Sequence, residues 1–123
     1  MDENDEYNAQ NYQLENLKEM IKDTSLAKAV GNEAAVRLLL KYRDHLEECV
    51  DSLLKHMENR DMMGIRDIAH SLKGSGKSYG FDFVTEIGLL LSSSAKKQNI
   101  KELTELIEEL GKWVKDSFFA NII

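Results

Sequence analysis

The stretch Ile68-Ala69-His70-Ser71-Leu72-Lys73-Gly74-Ser75-Gly76-Lys77-Ser78-Tyr79-Gly80-Phe81 carries the pattern that decides the fold. Apolar or small residues recur along it and just before it at alternating steps of three and four: Met62, Ile65, Ala69, Leu72, Gly76 and Tyr79. This spacing predicts an amphipathic α-helix that packs one face into a bundle. Asp61 can cap the start of this helix with its side chain.

His70 does not lie on the apolar face. It is about 100° from Ala69 around the helix, at the edge where the core gives way to solvent. The residues that share its face, at helical offsets of three, four or seven, are Arg66, Lys73, Gly74 and Lys77. A histidine at the surface, among cations and beside a residue without a side chain, suits a negatively charged adduct on its ring.

The chemistry of imidazole is compatible with such an adduct. A neutral imidazole is a nucleophile near pH 7, because the ordinary pKa of a histidine side chain is about 6.5. Histidine is also among the side chains that form covalent intermediates. A phosphoryl group on the outer ring nitrogen would carry a charge of about −2, which Lys73 and Lys77 would offset. Spacing alone fits equally well a half-exposed helix histidine beside a solvated face of lysines.

A longer pattern resembles a known family. The residues His70-Ser71-Leu72-Lys73-Gly74-Ser75, followed by Gly80-Phe81, resemble the signature of the histidine-containing phosphotransfer (HPt) domains of multistep two-component relays. The resemblance covers roughly Asn11 to Phe119, with the motif in the central third. At Leu91-Ser92 the chain departs from the family, because many members have a Leu-Glu pair near this point.

This resemblance implies a function. The chain would be a phosphorelay intermediate that accepts a phosphoryl group on His70 and exchanges it with an aspartate of a receiver domain. Lys73 would steady the phosphoryl group, Gly74 would keep the site open, and Gly80 would form the turn after the helix. The expected partners are receiver domains of response regulators and hybrid sensor histidine kinases. The side chains expected at the rim of the docking surface are Met63, Arg66 and Lys77.

The resemblance also implies a division of chemical work. The receiver would bring Mg²⁺ and most catalytic groups, so no cofactor and no metal are expected in this chain. We therefore expect a phosphotransfer module rather than an enzyme.

Composition predicts a soluble helical protein. The chain has 123 residues, of which 42% are apolar and 31% charged, and it has no proline. Its net charge of −6 argues against general nucleic-acid binding, which needs a basic surface. The single cysteine, Cys49, fits a reducing compartment. Without a secretory leader or an apolar run of about 20 residues, we expect a cytoplasmic monomer with no membrane partner.

The rest of the chain completes the predicted fold. Residues 1–10 are acidic and expected to be disordered, and residues 11–123 are expected to form a single domain. The predicted fold is all-α, an antiparallel up-and-down four-helix bundle with a short N-terminal covering helix. Besides the histidine-bearing helix, long helices are predicted from about Asn32 to Met57, from a cap at Asp82 onward, and from Ile100 to Phe119.

Two further predictions concern one glycine and the cysteine. Gly88 lies on the core row of the third long helix, although glycine costs helix stability by about 1 kcal/mol relative to alanine. We therefore expect it to allow a close approach between two helices. Cys49 is expected to be packed and unreactive, because nearby carboxylates raise the pKa of a thiol.

Other classes of protein fit part of the pattern. A non-phosphorylated adaptor would use the same face, but the combination of His70, Lys73 and Gly74 argues against it. The dimerisation helix of a histidine kinase has an acidic residue after its histidine, whereas Ser71 stands here. A serine–histidine hydrolase would need an oxyanion hole, which a helix interior does not offer. A structural helical dimer would need a large exposed apolar patch.

Overall fold

A computed structural model of the chain describes residues 15–121. The described residues are helical and contain no strand, so the all-α prediction is confirmed. Residues 15–21 are helical and are called α1, and the prediction for residues 1–10 lies outside the described residues. The elements that follow are α2 (Ser25–Val30), α3 (Asn32–Glu58), α4 (Met62–Tyr79), α5 (Asp82–Lys96), α6 (Ile100–Asp116) and a 3-10 turn (Phe119–Asn121).

The chain divides into two compact units, of which the first comprises, among the described residues, 15–42 and 119–121. Within this unit, the side-chain oxygen of Thr24 accepts a hydrogen bond from the N–H of Ala27 at 3.2 Å and so caps α2. The side-chain amide of Asn32 donates to the carbonyl of Lys18 at 3.1 Å, which ties the start of α3 to α1. That α1 covers a bundle, and that residues 11–123 form one domain, stay predictions.

The second unit, Arg43–Phe118, contains most of α3 and all of α4, α5 and α6. Each of these helices buries one apolar face, as the periodicity predicts. At the ends of the α4 face, Met62 and Tyr79 are only half-buried. The buried apolar side chains include Leu46 and Leu53 of α3, Ile65, Ala69 and Leu72 of α4, Val84, Ile87 and Leu91 of α5, and Leu103, Ile107 and Leu110 of α6.

Both ends of α4 lie at residues whose chemistry favours a helix terminus, Asp61 at the start and Gly80 at the end. The carboxylate of Asp61 accepts a hydrogen bond from the N–H of Gly64 at 2.9 Å, which confirms the predicted cap. At the other end, Gly80 has a φ of 81°, in the left-handed region that favours glycine. The N–H of Phe81 donates to the carbonyl of Gly76 at 2.8 Å and that of Gly80 to Lys77 at 3.3 Å. These two bonds satisfy carbonyls that the end of the helix would otherwise leave unpaired.

The predicted cap of α5 at Asp82 is wrong. Asp82 is the first residue inside α5, and Phe81 occupies the N-cap position without a side-chain hydrogen bond. The cause is packing, because the Phe81 ring is buried and stacks on Phe118, with ring centroids 5.1 Å apart. Its ring also meets the edge of Trp113 at 5.6 Å. Aromatic packing therefore selects the residue that precedes the helix.

The predicted end of α6 at Phe119 is also wrong. The helix ends at Asp116, and the 3-10 turn follows at Phe119–Asn121. After the helix ends, Phe118 is 1% exposed and packs on Phe81 and Trp113. The aromatic cluster thus accounts for both shifted helix ends.

The helices α4 and α5 pack closely at two glycines. A Cβ added at Gly88 would lie 2.8 Å from the carbonyl oxygen of Ala69 and 2.8 Å from the amide nitrogen of Lys73. A Cβ at Gly76 would lie 2.6 Å from the amide nitrogen of Thr85. Real Cβ atoms do not approach backbone atoms so closely, so the predicted close approach at Gly88 is confirmed.

Two glycine-to-alanine variants test this packing. In Gly88→Ala the new Cβ meets backbone atoms that cannot rotate away, so the free energy of unfolding should fall by about 1–3 kcal/mol. In Gly111→Ala the new Cβ would lie 3.5 Å from Cγ1 of Val50, an ordinary contact. Better helix propensity should then raise the free energy of unfolding by about 0.5–1 kcal/mol. Urea unfolding measures both, and equal changes in the two variants would contradict the packing described here.

Candidate functional site

His70 lies on the outer side of α4. Its neighbours Ala69 and Leu72 are fully buried, whereas the His70 side chain is exposed. Across residues 15–121, the structure gives the imidazole no hydrogen bond and no ion pair. The imidazole is therefore exposed and has no hydrogen-bond partner in the described part of the chain, so it can meet an incoming group.

An open groove of about 470 Å³ brings the predicted site residues together. Its lining comes from two helices: His70, Lys73, Gly74 and Lys77 of α4, and Asp82 and Thr85 of α5. Neither lysine is paired with a carboxylate of residues 15–121. Their ammonium groups can therefore bind an anion without first breaking an ion pair.

Gly74 leaves the groove open on one side. It is exposed, and a Cβ added there would meet no atom within 4 Å beyond its own turn of helix and its chain neighbours. The absent side chain thus leaves room above the surface of α4 for an approaching partner, next to the ring of His70.

The two α5 residues of the groove were missed by sequence reasoning. The sequence predicts Asp82 only as a helix cap, and no pattern in it singles out Thr85. The signal for their proximity is Gly80, because a left-handed residue after α4 reverses the chain and brings the first turn of α5 beside α4. The rotation of α5 that aims these two side chains at the groove depends on tertiary packing, which periodicity does not specify.

The predicted docking residues differ in their relation to the groove. Lys77 lines it, whereas Met63 and Arg66 lie outside its lining, on the same face of α4 at seven and four residues before His70. Met63 is 67% exposed and Arg66 is half-buried. On α5, Leu89 is 48% exposed and follows Thr85 by four residues, so both share a face of that helix.

A second, smaller groove of about 300 Å³ lies on the other side of α4. It is lined by Asp67, Ile68 and Ser71 of α4 and by His45, Glu48, Cys49 and Ser52 of α3. Asp67, the carboxylate one turn before His70, therefore does not line the His70 groove. In residues 15–121, no cluster of three or more histidine, cysteine or carboxylate side chains could hold a metal ion.

The cysteine and the other two histidines, Cys49, His45 and His56, lie outside the His70 groove. Burial raises the pKa of the Cys49 thiol above its ordinary value, and the charge of Glu48 raises it further. Nε2 of His45 lies 3.6 Å from the Cys49 sulfur. His56 is half-buried with its Nδ1 3.0 Å from the carboxylate of Asp61, at the turn between α3 and α4.

Alkylation of Cys49 tests its surroundings. The thiolate is the reactive form, and a raised pKa keeps the thiol protonated to higher pH. At pH 8, native protein should react with iodoacetamide at least about tenfold more slowly than urea-unfolded protein, because the thiol is also buried. The rate should climb as the pH rises toward the raised pKa. Equal rates for native and unfolded protein at pH 8 would show that Cys49 is open to solvent.

A known protein family matches the part of the chain that contains this groove. The family model of the Hpt domain matches residues 37–116, which include α4, α5 and the whole His70 groove. The chain therefore belongs to the Hpt domain family. Hpt domains are phosphocarrier modules that interact with receiver and kinase partners, so the chain takes part in a two-component phosphorelay. No curated protein and no solved structure matches the chain.

None of the helices in residues 15–121 combines the length and the apolar character that crossing a membrane requires.

Proposed function

We propose that the chain accepts a phosphoryl group on His70 and exchanges it with an aspartate of a receiver domain. One observation carries the proposal: an exposed imidazole, without a hydrogen bond in the described part of the chain, shares a groove with two lysines that form no ion pair there. In the forward step, Nε2 of His70 attacks the phosphorus of the aspartyl phosphate. The new N–P bond forms as the P–O bond to the aspartate breaks, and the carboxylate leaves.

The proposed roles of Lys73 and Gly74 follow from charge and space. Phosphoryl transfer is mostly positioning and charge stabilisation, so a cation beside the transferred group is useful. Lys73 follows His70 by one helical turn and lines the same groove. Its ammonium group would offset charge on the phosphoryl oxygens. Gly74 would let the receiver approach the ring, because nothing projects from its Cα.

The receiver would complete the site. By the chemistry of such domains, it would supply Mg²⁺ and the acceptor aspartate, while this chain supplies the imidazole and a docking surface. Met63, Arg66 and Lys77 would form the rim of that surface. Their placement on the His70 face of α4 supports this assignment, and the positive charge of Arg66 and Lys77 suits an acidic partner site.

We also propose that α3, α4, α5 and α6 form an antiparallel up-and-down four-helix bundle. Short connections at residues 59–61, 80–81 and 97–99 support this arrangement, because short links favour antiparallel neighbours. The packing of α4 on α5 and of α5 on α6 supports it as well.

Phosphate labelling of His70→Gln tests the proposed acceptor. Wild-type protein incubated with phosphoramidate or a phosphorylated receiver should gain a label that is lost in acid and kept in base. His70→Gln should gain none, because it lacks the nucleophile. His45→Gln and His56→Gln, which change the other histidines of the chain, should label like wild type. Equal labelling of wild type and His70→Gln would remove His70 from the reaction, and receiver binding without any labelling would favour the adaptor.

Replacing Lys73 tests charge stabilisation. Lys73→Ala should slow transfer about 100- to 1,000-fold, the scale of losing one charge-stabilising donor. Helicity by circular dichroism should be unchanged, because the side chain is exposed. Lys112→Ala, an exposed lysine of α6, is the matched control and should transfer normally. If Lys73→Ala transfers as fast as this control, Lys73 has no part in the mechanism.

A further inference from the structure

We propose that Gly88 of α5 is a positioning residue for phosphoryl transfer. It would act by holding the turn of α4 that carries His70 and Lys73. This inference rests on the proposed function of His70, and it assigns part of that function to a buried residue that touches no reacting atom.

The contact at Gly88 falls on one particular turn of α4. A Cβ there would lie 2.8 Å from the carbonyl oxygen of Ala69, 2.8 Å from the amide nitrogen of Lys73 and 3.2 Å from the Lys73 Cα. In an α-helix, the N–H of residue 73 bonds to the carbonyl of residue 69. The backbone of α5 at Gly88 therefore lies directly against the inner side of the hydrogen-bonded turn that contains His70.

In the described part of the chain, no hydrogen bond or ion pair restrains the side chains of His70 and Lys73. Their positions are thus set by the backbone of α4, and the backbone of this turn rests on α5.

The identity of residue 88 supports this assignment. Glycine is unfavourable inside a helix, so its presence at a position where a side chain would not fit indicates a packing reason. At Gly74 a Cβ would meet open space, and at Gly111 it would make only an ordinary contact. At Gly88 and Gly76 a Cβ would overlap backbone of the facing helix. Of these two, only Gly88 contacts the turn of His70.

Gly76 is therefore a matched control. A Cβ at Gly76 would lie 2.6 Å from the amide nitrogen and 2.7 Å from the hydroxyl oxygen of Thr85, so Gly76→Ala also strains the packing of α4 on α5. The contact lies about 9 Å along α4 from His70, by the rise of an α-helix. Both variants should lose stability, but only Gly88→Ala should displace the turn that presents the ring.

The experiment compares the two variants with phosphoramidate as the phosphoryl donor. Nε2 of His70 attacks its phosphorus, the P–N bond breaks and ammonia leaves, so no partner protein is needed. Rates are measured over a range of donor concentrations, at a temperature where circular dichroism shows wild type and both variants to be folded. The maximal rate reports positioning of the nucleophile, and the half-saturating concentration reports donor binding.

We expect Gly88→Ala to have a maximal rate at least tenfold below that of Gly76→Ala, because a displacement of about 1 Å can slow a positioned reaction as much as 100-fold. The amide NMR signals of residues 69–73 should shift in Gly88→Ala more than in Gly76→Ala. If the maximal rates of the two variants are equal, or simply follow their losses of stability, the positioning role is wrong while the proposed function stands. If wild type gains no label on His70, both the inference and the proposed function fail.

If Gly88→Ala does not fold, hydrogen exchange of wild-type protein tests the positioning role instead. The backbone amide of Lys73 lies against α5 at Gly88, whereas Gly74 lies on the exposed side of α4. The hydrogen-exchange protection factor of the Lys73 amide should exceed that of the Gly74 amide at least tenfold, because α5 holds this turn closed. Equal protection factors would show that Gly88 does not restrain the turn.

Discussion

The close packing of α4 on α5 at two glycines is the constraint on which the site depends. Gly76 and Gly88 bring the two helices close enough that a methyl group at either position would overlap facing backbone atoms. One of these contacts lies against the turn that carries His70, and the other lies near the reversal at Gly80. The consequence is a groove with one side from each helix, in which an exposed imidazole is held by buried backbone rather than by hydrogen bonds to its ring. That arrangement leaves the proposed nucleophile exposed on a turn of α4 that packs against α5.

The charges around the ring fit a carrier of a phosphoryl group. Lys73 and Lys77 contribute positive charge to the groove although the chain as a whole has a net charge of −6. Local charge rather than net charge therefore governs what this surface attracts. Asp67, the nearest carboxylate along α4, lines a different groove, and Asp82 is the acidic residue of this one. A site with an open side at Gly74 and few groups of its own is suited to a reaction for which the partner supplies the metal and the acceptor.

Local chemistry predicted much of this site, and tertiary packing decided the rest. Helical periodicity predicts the burial of Ala69 and Leu72, and the unpaired N–H groups at a helix start predict the cap at Asp61. Both signals depend only on residues that are close together in the sequence. The start of α5 and the end of α6 were missed because Phe81, Trp113 and Phe118 form a cluster between residues distant in sequence. Asp82 and Thr85 are not predicted as groove residues for a similar reason, since the rotation of α5 depends on tertiary packing between distant residues. The proposed phosphate-accepting role of His70 rests on the family resemblance, because spacing alone also fits an inert surface histidine.

The most direct test of the central claim is an NMR comparison of the histidine rings before and after phosphorylation of wild-type protein. The chain has three histidines, so a correlation spectrum of their imidazole nitrogens resolves each ring without any substitution. If His70 is the acceptor, only its signals should change, with phosphorus coupled to its Nε2, while the signals of His45 and His56 keep their positions. Phosphorus coupled to either of the other rings, or no change in the His70 signals of a protein that carries phosphate, would contradict this role of His70.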